Sequence, residues 1–310
     1  MLRFLFYFCL NDRFVKLVDS SAYGAKMPRA NWDFIGNIVA PVPSNTEQRA
    51  IASFLDRETA RIDSVIAKKR RLIELLKEKR TSLITQAVTK GLDPSVPMKD
   101  SGVEWLGEIP QDWDIVAIRR IFQILNGSTP SSGVEDFWNG EIHWATPDDL
   151  GKLEGDTLIE TERCITEKGF QSCGSSLAPI GSLVLSTRAP IGHLAIAGSE
   201  LCTNQGCRSL VFRDADSNKY FYYLLLTGRP ELESFGQGST FKELSNSALA
   251  GIFLCRPSVN DQRAIASFLD RETARIDSVI SKTEQSIEKL QEYRSALISA
   301  AVTGKIDVRK

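Results

Sequence analysis

The sequence predicts an α+β fold, in which one complete β-rich domain is joined to two long helices that pair as an antiparallel coiled coil. Two observations predict the helices: residues 48–66 return without a change at residues 262–280, and a heptad pattern of apolar residues runs through both copies. A third observation predicts the domain, because short apolar runs alternate with turn signals between residues 109 and 258. The composition, 42% apolar and 25% charged, is typical of a globular protein with a hydrophobic core.

Residues 1–46 are predicted to be the C-terminal remnant of a domain, because they resemble part of the complete domain further along the chain. At the offset that aligns the repeated segments, Gly24 falls on Gly238 and residues 6–10 fall on residues 220–224. The first residues also have the charge and the short apolar run of a signal peptide, but they lack a small-residue cleavage site. We therefore interpret them as buried domain structure.

Residues 47–91 and 259–304 are predicted to be the two long helices, with Asn45 or Thr46 as the N-cap of the first. At about 1.5 Å of rise per residue, such a helix is roughly 65 Å long, which is more than the core of one small domain requires. Each helix is therefore expected to pack against its duplicate through the heptad positions. The residues predicted to pair the helices are Leu55, Ile62, Ile66, Ile73, Leu76 and Leu83 in the first helix and Leu269, Ile276, Ile280, Ile287, Leu290 and Leu297 in the second.

Polar residues interrupt both heptad patterns at matching positions. Lys69 in the first helix corresponds to Thr283 in the second, and Arg80 corresponds to Arg294. Polar residues at such positions lower the stability of a coiled coil but fix the register and the orientation of its helices. We expect these two pairs to set how the duplicated helices align.

Residues 92–108 are predicted to be a linker, residues 109–258 the one complete domain, and residues 305–310 a tail. Proline stops helices and favours an extended form in the preceding residue, and Pro94 and Pro97 closely follow the first helix. Within the domain, glycine and serine collect in several loops. Loops of this kind on a rigid scaffold commonly carry binding residues.

The net charge is −1, so the whole protein lacks the strongly basic character that is usual among nucleic-acid binders. Residues 68–71 make the first helix basic, whereas residues 112–156 are acidic. Any contact with nucleic acid must then come from local patches. The six cysteines include no Cys-x-x-Cys pair and there are only two histidines, so we expect no metal site and reduced thiols in a cytoplasmic protein.

The sequence contains no recognisable catalytic motif, and we expect no catalytic residues. No Gly-rich phosphate loop is followed by Lys and Ser or Thr, and no Asn-Pro-Pro-aromatic motif for adenine methylation is present. Pro147-Asp148 lacks the acidic-x-Lys that would complete a nuclease site, and neither His143 nor His193 has evident triad partners in the sequence. The sequence favours a binding protein. An independent enzyme on residues 109–258 is the alternative.

The motifs of the domain and the repeated helices, in their order along the chain, resemble those of the specificity subunit of type I restriction-modification systems. The opening of that family's target-recognition domain is matched by Glu104-Trp105-Leu106-Gly107-Glu108-Ile109-Pro110-x-x-Trp113. The later matches are Gly127-Ser128-Thr129-Pro130, Ile142-x-Trp144-x-Thr146-Pro147-x-Asp149-Leu150, Ser186-x-Arg188-Ala189-Pro190-Ile191-Gly192, Thr203-Asn204-Gln205-Gly206 and Gly238-Ser239-Thr240. Each motif alone is loose, whereas their order together with the duplication is highly specific.

The resemblance implies a subunit that recognises double-stranded DNA and has neither catalytic activity nor a cofactor of its own. In that family, two target-recognition domains read the two halves of a split DNA site, and the paired helices are the spacer between them. The helices also dock modification subunits, expected here to be two, which bind S-adenosylmethionine and methylate adenine. A separate restriction subunit is the motor and nuclease, and it uses ATP with Mg²⁺. No membrane partner is implied.

The sequence departs from the family pattern in the first target-recognition domain, for which only residues 1–46 are present. A chain with one complete reader could pair through its helices with a second copy and regain a symmetric two-part site. The alternative is a truncated, non-functional chain or a half-subunit scaffold. Such a scaffold would dock the modification subunit, or dimerise, without full two-part recognition.

The candidate DNA-binding residues lie mainly in the loops of the complete domain. Arginine can bind guanine, and glutamine can bind adenine, through paired hydrogen bonds, which is the chemical reason for selecting these residue types. Turn formation or domain packing is the alternative role of each. The candidates are Ser128, Thr129, Ser131, Arg188, Gln205, Arg208, Gln237, Thr240 and Lys242.

Overall fold

The structure is a computed structural model that describes residues 2–24, 26–238 and 242–308. The chain divides into two compact units. The helical unit consists of Met1–Glu78 and Arg275–Lys310, and the sheet unit is Lys79–Ala274. The combination of several β-sheets with two long helices confirms the predicted fold class. Among the residues described, no helix is both long and apolar enough to cross a membrane.

The helices and strands alternate irregularly along the chain. The helices are α1 (Leu2–Cys9), α2 (Asp12–Ser20), α3 (Trp32–Gly36), α4 (Asn45–Lys90), α5 (Ile118–Ile121), α6 (Pro147–Lys152), α7 (Glu167–Gln171), α8 (Asn218–Thr227), α9 (Arg229–Ser234), α10 (Asn246–Gly251) and α11 (Val259–Val302), with a 3₁₀ helix at Glu135–Phe137. The strands are β1 (Met98–Asp100), β2 (Glu108–Pro110), β3 (Asp114–Ala117), β4 (Phe122–Asn126), β5 (Trp138–Ala145), β6 (Thr157–Leu158), β7 (Cys164–Ile165), β8 (Leu183–Ser186), β9 (Leu194–Ala197), β10 (Leu201–Thr203), β11 (Cys207–Phe212) and β12 (Phe253–Arg256).

A five-stranded sheet with the order β4-β11-β8-β9-β6 is the centre of the sheet unit. Strand β11 is antiparallel to both of its neighbours, with Arg208 opposite Asn126 on β4 and Cys207 opposite Ser186 on β8. A three-stranded sheet, β10-β5-β7, and the pairs β1-β2 and β12-β3 complete the unit. Strand β1 lies within the linker that was predicted at residues 92–108, and it pairs with β2, which begins at the last residue of that segment. Part of the predicted linker is therefore paired structure.

Helix α8 closes the main core of the sheet unit. Its Phe221 is fully buried and meets Phe122 edge to face, with the ring centroids 5.5 Å apart. The same apolar cluster contains Val88 of α4 and Leu269 of α11. Aromatic side chains contribute much of the apolar area buried in such a core. Helix α8 thereby joins the sheet to the portions of the long helices that belong to this unit.

The serine before each long helix is its N-cap, in place of the predicted Asn45 or Thr46. The Ser44 hydroxyl accepts a hydrogen bond from the Glu47 N–H at 3.4 Å, and the Glu47 carboxylate accepts one from the Ser44 N–H at 3.0 Å. This is the reciprocal pattern of a capping box. Ser258 likewise accepts from the N–H three residues later, at 3.2 Å. Helix α4 therefore begins at Asn45, two residues before its predicted start, and α11 begins at Val259, as predicted.

The residues predicted to pair the long helices are buried or half-buried. In the helical unit, the buried residues are Leu55, Ile62, Ile66, Ile73, Ile276, Ile280 and Ile287, and the half-buried ones are Leu76, Leu290 and Leu297. In the sheet unit, Leu269 is buried and Leu83 is half-buried. This burial at heptad spacing is what two helices packed along a common seam require.

The long helices are antiparallel within the helical unit. Leu55 near the start of α4 shares an apolar cluster with Ile298 near the end of α11. Further along α4, Asp63 accepts hydrogen bonds from Nε and Nη2 of Arg294 at 2.9 and 3.1 Å. Arg294 was predicted as a polar interruption of the seam, and this fork-like ion pair gives it a defined partner on the other helix.

Two of the other polar interruptions, Thr283 and Lys69, differ in how far they are buried. Thr283 is buried, and its hydroxyl donates to the Val279 carbonyl at 2.7 Å, one helical turn earlier. Lys69 is half-buried in the first helix. A long side chain can bury its methylene groups while its ammonium group stays near water. Neither residue therefore leaves an unpaired buried charge in the seam.

The short helix α1 docks on α4 in the way that α8 docks on α11. The Tyr7 hydroxyl donates to Asp56 Oδ1 at 2.7 Å, and the Tyr223 hydroxyl donates to Asp270 Oδ1 at 2.8 Å. Asp56 also forms an ion pair with Arg3 of α1 at 2.6 Å, and Asp270 forms one with Lys219 of α8 at 3.6 Å. The same contact is thus built twice, once in each unit.

These contacts shift the predicted alignment of residues 6–10 by two positions, because Tyr7 takes the place of Tyr223 and not of Phe221. Further along, the original offset holds: Tyr23 forms a β-bridge with Arg29 just as Gln237 does with Glu243. The chain between the two features is therefore two residues longer in the first copy. This stretch contains the nine-residue helix α2 in the first copy and the six-residue helix α9 in the second.

Candidate nucleic-acid interface

Four loops of the sheet unit meet at one end of the five-stranded sheet. They are residues 127–134 after β4, 187–193 after β8, 204–206 before β11, and 236–245 between α9 and α10. Strands β4 and β8 end where β11 begins, because both are antiparallel to it. We call these four loops the loop face, of which residues 239–241 lie outside the described part of the chain.

Main-chain hydrogen bonds join three of these loops at their bases. The N–H groups of Thr187 and Arg188 donate to the carbonyl of Gly206 at 2.8 and 3.2 Å. The N–H of Leu244 donates to the carbonyl of Thr187 at 2.8 Å. Loops connected in this way have positions that are set by the sheet beneath them, so side chains at their tips are presented in a defined arrangement.

The fourth loop is held by the close approach of Gly127 to residue 204. A Cβ atom at position 127 would lie 1.9 Å from the carbonyl oxygen of Asn204, so only glycine fits. The next N–H, of Ser128, donates to the Thr203 carbonyl at 2.9 Å. At the exposed rim of this contact, the hydroxyl of Thr129 donates to the side-chain oxygen of Gln205. Two predicted DNA-binding residues are thereby placed in direct contact.

Ser128 and Ser131 take part in the interface through their main chains. Their carbonyl oxygens accept hydrogen bonds from the indole N–H groups of Trp144, at 2.9 Å, and Trp138, at 3.2 Å. The two indoles pack edge to face with their centroids 5.2 Å apart. Ser131 is exposed and Ser128 is half-buried. The tryptophans therefore support the loop from below and leave its outer surface open.

Arg163 was missed by sequence reasoning, although it lies on the same tryptophan pair. Its guanidinium carbon is 3.6 Å from the ring centroid of Trp138 and 5.5 Å from that of Trp144, and its side chain is exposed. Such stacking holds a cation in place over an aromatic face. The pairing of β5 with β7 brings these residues together. No local motif around Arg163 indicates this contact.

Glu243, also missed, lies between the two predicted arginines. Its carboxylate is 3.1 Å from Nε of Arg188 and 3.9 Å from Nη2 of Arg208. The two arginines differ in exposure: the Arg188 side chain is 45% exposed and the Arg208 side chain is 12% exposed. Burial lowers the pKa of Arg208 from its ordinary value, and Glu243 acts in the opposite direction.

Arg208 donates its hydrogen bonds to other groups of the protein. Its Nη1 donates to the carbonyls of Gln205 and Cys207, both at 2.8 Å, and its Nε donates to the side-chain oxygen of Asn246 at 2.6 Å. The amide of Asn246 in turn donates to Asn126 at 2.5 Å. Arg208 therefore joins three segments of the loop face, whereas Arg188 extends from its surface.

The remaining candidates lie on the loop between α9 and α10. Gln237 and Glu243 exchange main-chain hydrogen bonds at 3.0 and 2.9 Å. The side chains of Gln237 and Lys242 are exposed. Thr240, which was also a candidate, lies outside the described residues.

The carboxylate of Asp149 has a structural role. Thr146 is the N-cap of α6, and its N–H donates to the Asp149 carboxylate at 2.8 Å in a capping box. The Glu162 N–H also donates to Asp149 at 2.8 Å. Within residues 2–24, 26–238 and 242–308, no group of three or more His, Cys, Asp or Glu side chains could hold a metal ion. The loop face offers hydrogen-bonding and cationic groups suited to a polar, anionic ligand.

Residues 110–289 match the family model of the type I restriction modification DNA specificity domain. The match covers more than half of the chain and contains the whole loop face. The chain belongs to this family. It is similar to two curated specificity subunits from Methanocaldococcus jannaschii: it is 40% identical to the type I restriction enzyme MjaIX specificity subunit over 166 residues, which are 53% of this chain and 38% of that subunit. It is 27% identical to the putative MjaX specificity subunit over 272 residues, 87% of this chain and 59% of that subunit.

Solved structures of this specificity-subunit class share the fold. The HsdS subunit from Thermoanaerobacter tengcongensis aligns with a TM-score of 0.61 at 20% identity, over 98% of this chain and 70% of that chain. A chain from a study of complex assembly and conformational transition of the type I R-M system aligns with a TM-score of 0.71 at 21% identity, over 98% and 71%. Compared with the curated relatives, the chain spans about two fifths of the length of the MjaIX subunit and about three fifths of the length of the putative MjaX subunit.

Proposed function

We propose that the chain is the DNA-recognition part of a type I restriction-modification complex, with the loop face as its contact surface for double-stranded DNA. The observation that carries the proposal is the placement of Thr129, Arg188 and Gln205 at the exposed rim of four loops that are joined at their bases. Recognition by hydrogen bonds to base edges requires donors and acceptors held in this way. The family's description as a DNA specificity domain supports the same function.

Arg188 is the best placed of the candidates to contact a base. Glu243 binds its Nε, which leaves the two terminal nitrogens for the paired contact that arginine makes with guanine. Gln205 shares its amide oxygen with Thr129 and presents its amide nitrogen as a donor. Ser128, Ser131, Gln237, Thr240 and Lys242 complete the proposed contact set. Arg208 supports that set from inside the loop face.

Phosphate contacts are proposed for Arg163 and Lys242. Acidic residues outnumber basic residues between positions 109 and 258, so the attraction for DNA has to be local. Arg163 is exposed and stacked on Trp138, and Lys242 is exposed. Contacts of this kind position a protein on DNA without reading its sequence.

We further propose that α4 and α11 are a coiled-coil spacer that docks two modification subunits. The buried heptad positions and the Arg294–Asp63 ion pair support a rigid helix pair. In this proposal S-adenosylmethionine binds to the modification subunits, and ATP with Mg²⁺ binds to the restriction subunit. In this proposal the chain recognises the DNA sequence and carries out no catalytic step, and it requires neither a cofactor nor a membrane.

Residues 1–46 are proposed to be the remnant of a first target-recognition domain. The repeated Tyr–Asp contact and the repeated β-bridge support this origin, because both recur in the complete domain at matching places. Two copies paired through their helices would present two readers to a symmetric site. A chain without such pairing would act as a half-subunit scaffold.

A binding selection tests the proposed function. The chain is co-expressed with its modification subunit and used to select duplexes from a random DNA library by gel shift at moderate salt. We expect enrichment of one short motif, which Arg188→Ala weakens or broadens. Arg120→Ala is the matched control, because Arg120 is exposed on α5 at the opposite end of β4. Failure to enrich any motif would favour the scaffold.

A further inference from the structure

The four loops of the loop face contain a single acidic residue, Glu243, beside the basic residues Arg188 and Lys242. A carboxylate repels the phosphates of DNA, so it opposes the binding of any duplex to this surface. Glu243 nevertheless lies next to Arg188, the candidate best placed to contact a base, and the Glu243 carboxylate is 3.1 Å from Nε of Arg188. The position of this one acidic residue indicates that it controls how Arg188 is used.

The main chain fixes Glu243 against two neighbouring segments. The N–H and the carbonyl of Glu243 exchange hydrogen bonds with Gln237 at 2.9 and 3.0 Å, and Glu243 also forms a β-bridge with Arg188. The next residue, Leu244, is fully buried, and its N–H donates to the Thr187 carbonyl at 2.8 Å. The Cα atom of Glu243 therefore has a set position relative to the loop that carries Arg188.

Arg208 holds the Glu243 carboxylate from the interior side. One oxygen of the carboxylate, Oε1, is 3.9 Å from Nη2 of Arg208, and the other, Oε2, is the one that contacts Arg188. The Arg208 side chain is only 12% exposed, and its own hydrogen bonds fix its position. A charge that is shielded from water attracts a neighbouring carboxylate more strongly than an exposed charge does. Glu243 is thus anchored both at its main chain and at its carboxylate.

A carboxylate on Nε changes which ligands suit Arg188. The carboxylate offsets the charge of the guanidinium and repels phosphate oxygens, so it lowers the affinity of Arg188 for the DNA backbone. A guanine edge is uncharged and offers two acceptors, O6 and N7, to the two terminal nitrogens of an arginine. That paired contact stays open, because Glu243 binds the remaining nitrogen. Specificity is a difference between two affinities, and a group that weakens the wrong contact increases that difference.

We propose that Glu243 is a specificity-determining residue, which orients Arg188 for a paired contact with a base edge and keeps Arg188 from binding phosphate. The inference rests on the proposed function of the loop face. Glu243 acts through Arg188 and is therefore a positioning residue. Its removal should strengthen binding to unrelated DNA and, at the same time, weaken the preference for the selected sequence.

Glu243→Gln tests the proposal, because it removes the charge and keeps the size of the side chain. The variant is co-expressed with the modification subunit, and its binding to the selected duplex and to an unrelated duplex is measured by fluorescence anisotropy at several salt concentrations. We expect the affinity for the unrelated duplex to rise about five- to tenfold at about 0.1 M salt, which is the size of one added phosphate contact. For the same reason the slope of log K against log salt should steepen by about 0.9. The preference for the selected duplex should fall by about tenfold or more.

Three further variants separate a role through Arg188 from a general effect of charge. In an Arg188→Ala background, Glu243→Gln should change neither the salt slope nor the preference, because the arginine that it would release is absent. Glu243→Asp keeps the negative charge and should retain the salt slope of the unaltered chain. Glu108→Gln is the matched control, since Glu108 is exposed on β2 outside the loop face, and it should change neither quantity.

The proposal is overturned if Glu243→Gln leaves the preference intact, or if it weakens binding to both duplexes equally, as loss of a merely structural residue would. It is also overturned if Glu243→Gln has the same effect with and without Arg188, which would show long-range repulsion or a direct contact of Glu243 with a base. Urea unfolding checks that each variant is folded under the assay conditions. If the unaltered chain selects no sequence at all, the proposed function itself fails, and this inference fails with it.

Discussion

Replacing the two arginines of the loop face with alanine should separate DNA recognition from stability. The Arg188 side chain is 45% exposed, and its ion pair with Glu243 is of the surface kind, which contributes about 0–1 kcal/mol. Arg188→Ala should therefore change the free energy of unfolding by less than about 1 kcal/mol. Arg208 is 12% exposed and donates three hydrogen bonds at 2.6–2.8 Å. Because each hydrogen bond contributes about 1 kcal/mol, Arg208→Ala should lower the free energy of unfolding by roughly 3 kcal/mol.

The two substitutions should affect DNA binding in the opposite order. Among the folded proteins, Arg188→Ala should weaken DNA binding more than Arg208→Ala does. Loss of a paired contact with guanine costs about 1–3 kcal/mol, so Arg188→Ala should weaken specific binding roughly 5- to 150-fold. Arg188→Lys retains the charge but loses the planar fork, and it should recover little of the specificity. Arg163→Ala removes a proposed phosphate contact and should weaken binding to all sequences about equally.

Urea unfolding and fluorescence anisotropy with the selected duplex measure the two quantities. Competition with unrelated duplex at the same salt separates specific from non-specific affinity. The assignment of Arg188 fails if Arg188→Ala destabilises the protein as much as Arg208→Ala does. It also fails if Arg188→Lys keeps the full preference for the selected sequence. The first result would place Arg188 among the packing residues of the loop face, and the second would show that its paired contact with guanine does not supply the specificity.

Two further predictions concern stability. Tyr7→Phe and Tyr223→Phe should each lower the free energy of unfolding by about 1–2 kcal/mol, because each removes a hydroxyl that donates to a carboxylate at 2.7 or 2.8 Å. A measurable loss for only one of the two variants would show that the two contacts do not contribute equally to stability. Burial acts to raise the pKa of Asp156, but hydrogen bonds from Lys219 and Thr157 outweigh it and lower the pKa below the ordinary 3.8. The unfolded chain then takes up this proton first, so the contribution of Asp156 is present above about pH 3.8 and is lost as the pH falls through the lower, folded value. Asp156→Asn should flatten the acid side of a stability–pH curve measured by urea unfolding, and an unchanged slope would contradict this.

Features that depend on local pattern could be predicted well. The two long helices were predicted at residues 47–91 and 259–304 from heptad spacing over many turns, and the structure has helices at Asn45–Lys90 and Val259–Val302. The predicted pairing residues are buried or half-buried. The N-cap of the first long helix was predicted one or two residues too late, because Ser44, Asn45 and Thr46 are all suitable capping residues in sequence. Only the reciprocal contact with Glu47 distinguishes Ser44.

The order of loop motifs similarly indicated which segments would form the candidate site. Thr129 and Gln205, far apart in sequence, were both selected, and the structure places them in contact. Their neighbours could not be selected in the same way. Arg163 reaches the tryptophan pair only through the pairing of β5 with β7, and Glu243 only through its bridge to Arg188.

The sequence by itself determined the duplication, the two long helices and the set of loops in which binding residues would lie, because helix periodicity and turn chemistry are local properties of the chain. The tertiary structure decided which of two chemically identical arginines is exposed, and that Tyr7 and not Cys9 corresponds to Tyr223. These outcomes depend on burial and on contacts between distant residues, which strand pairing and helix docking set.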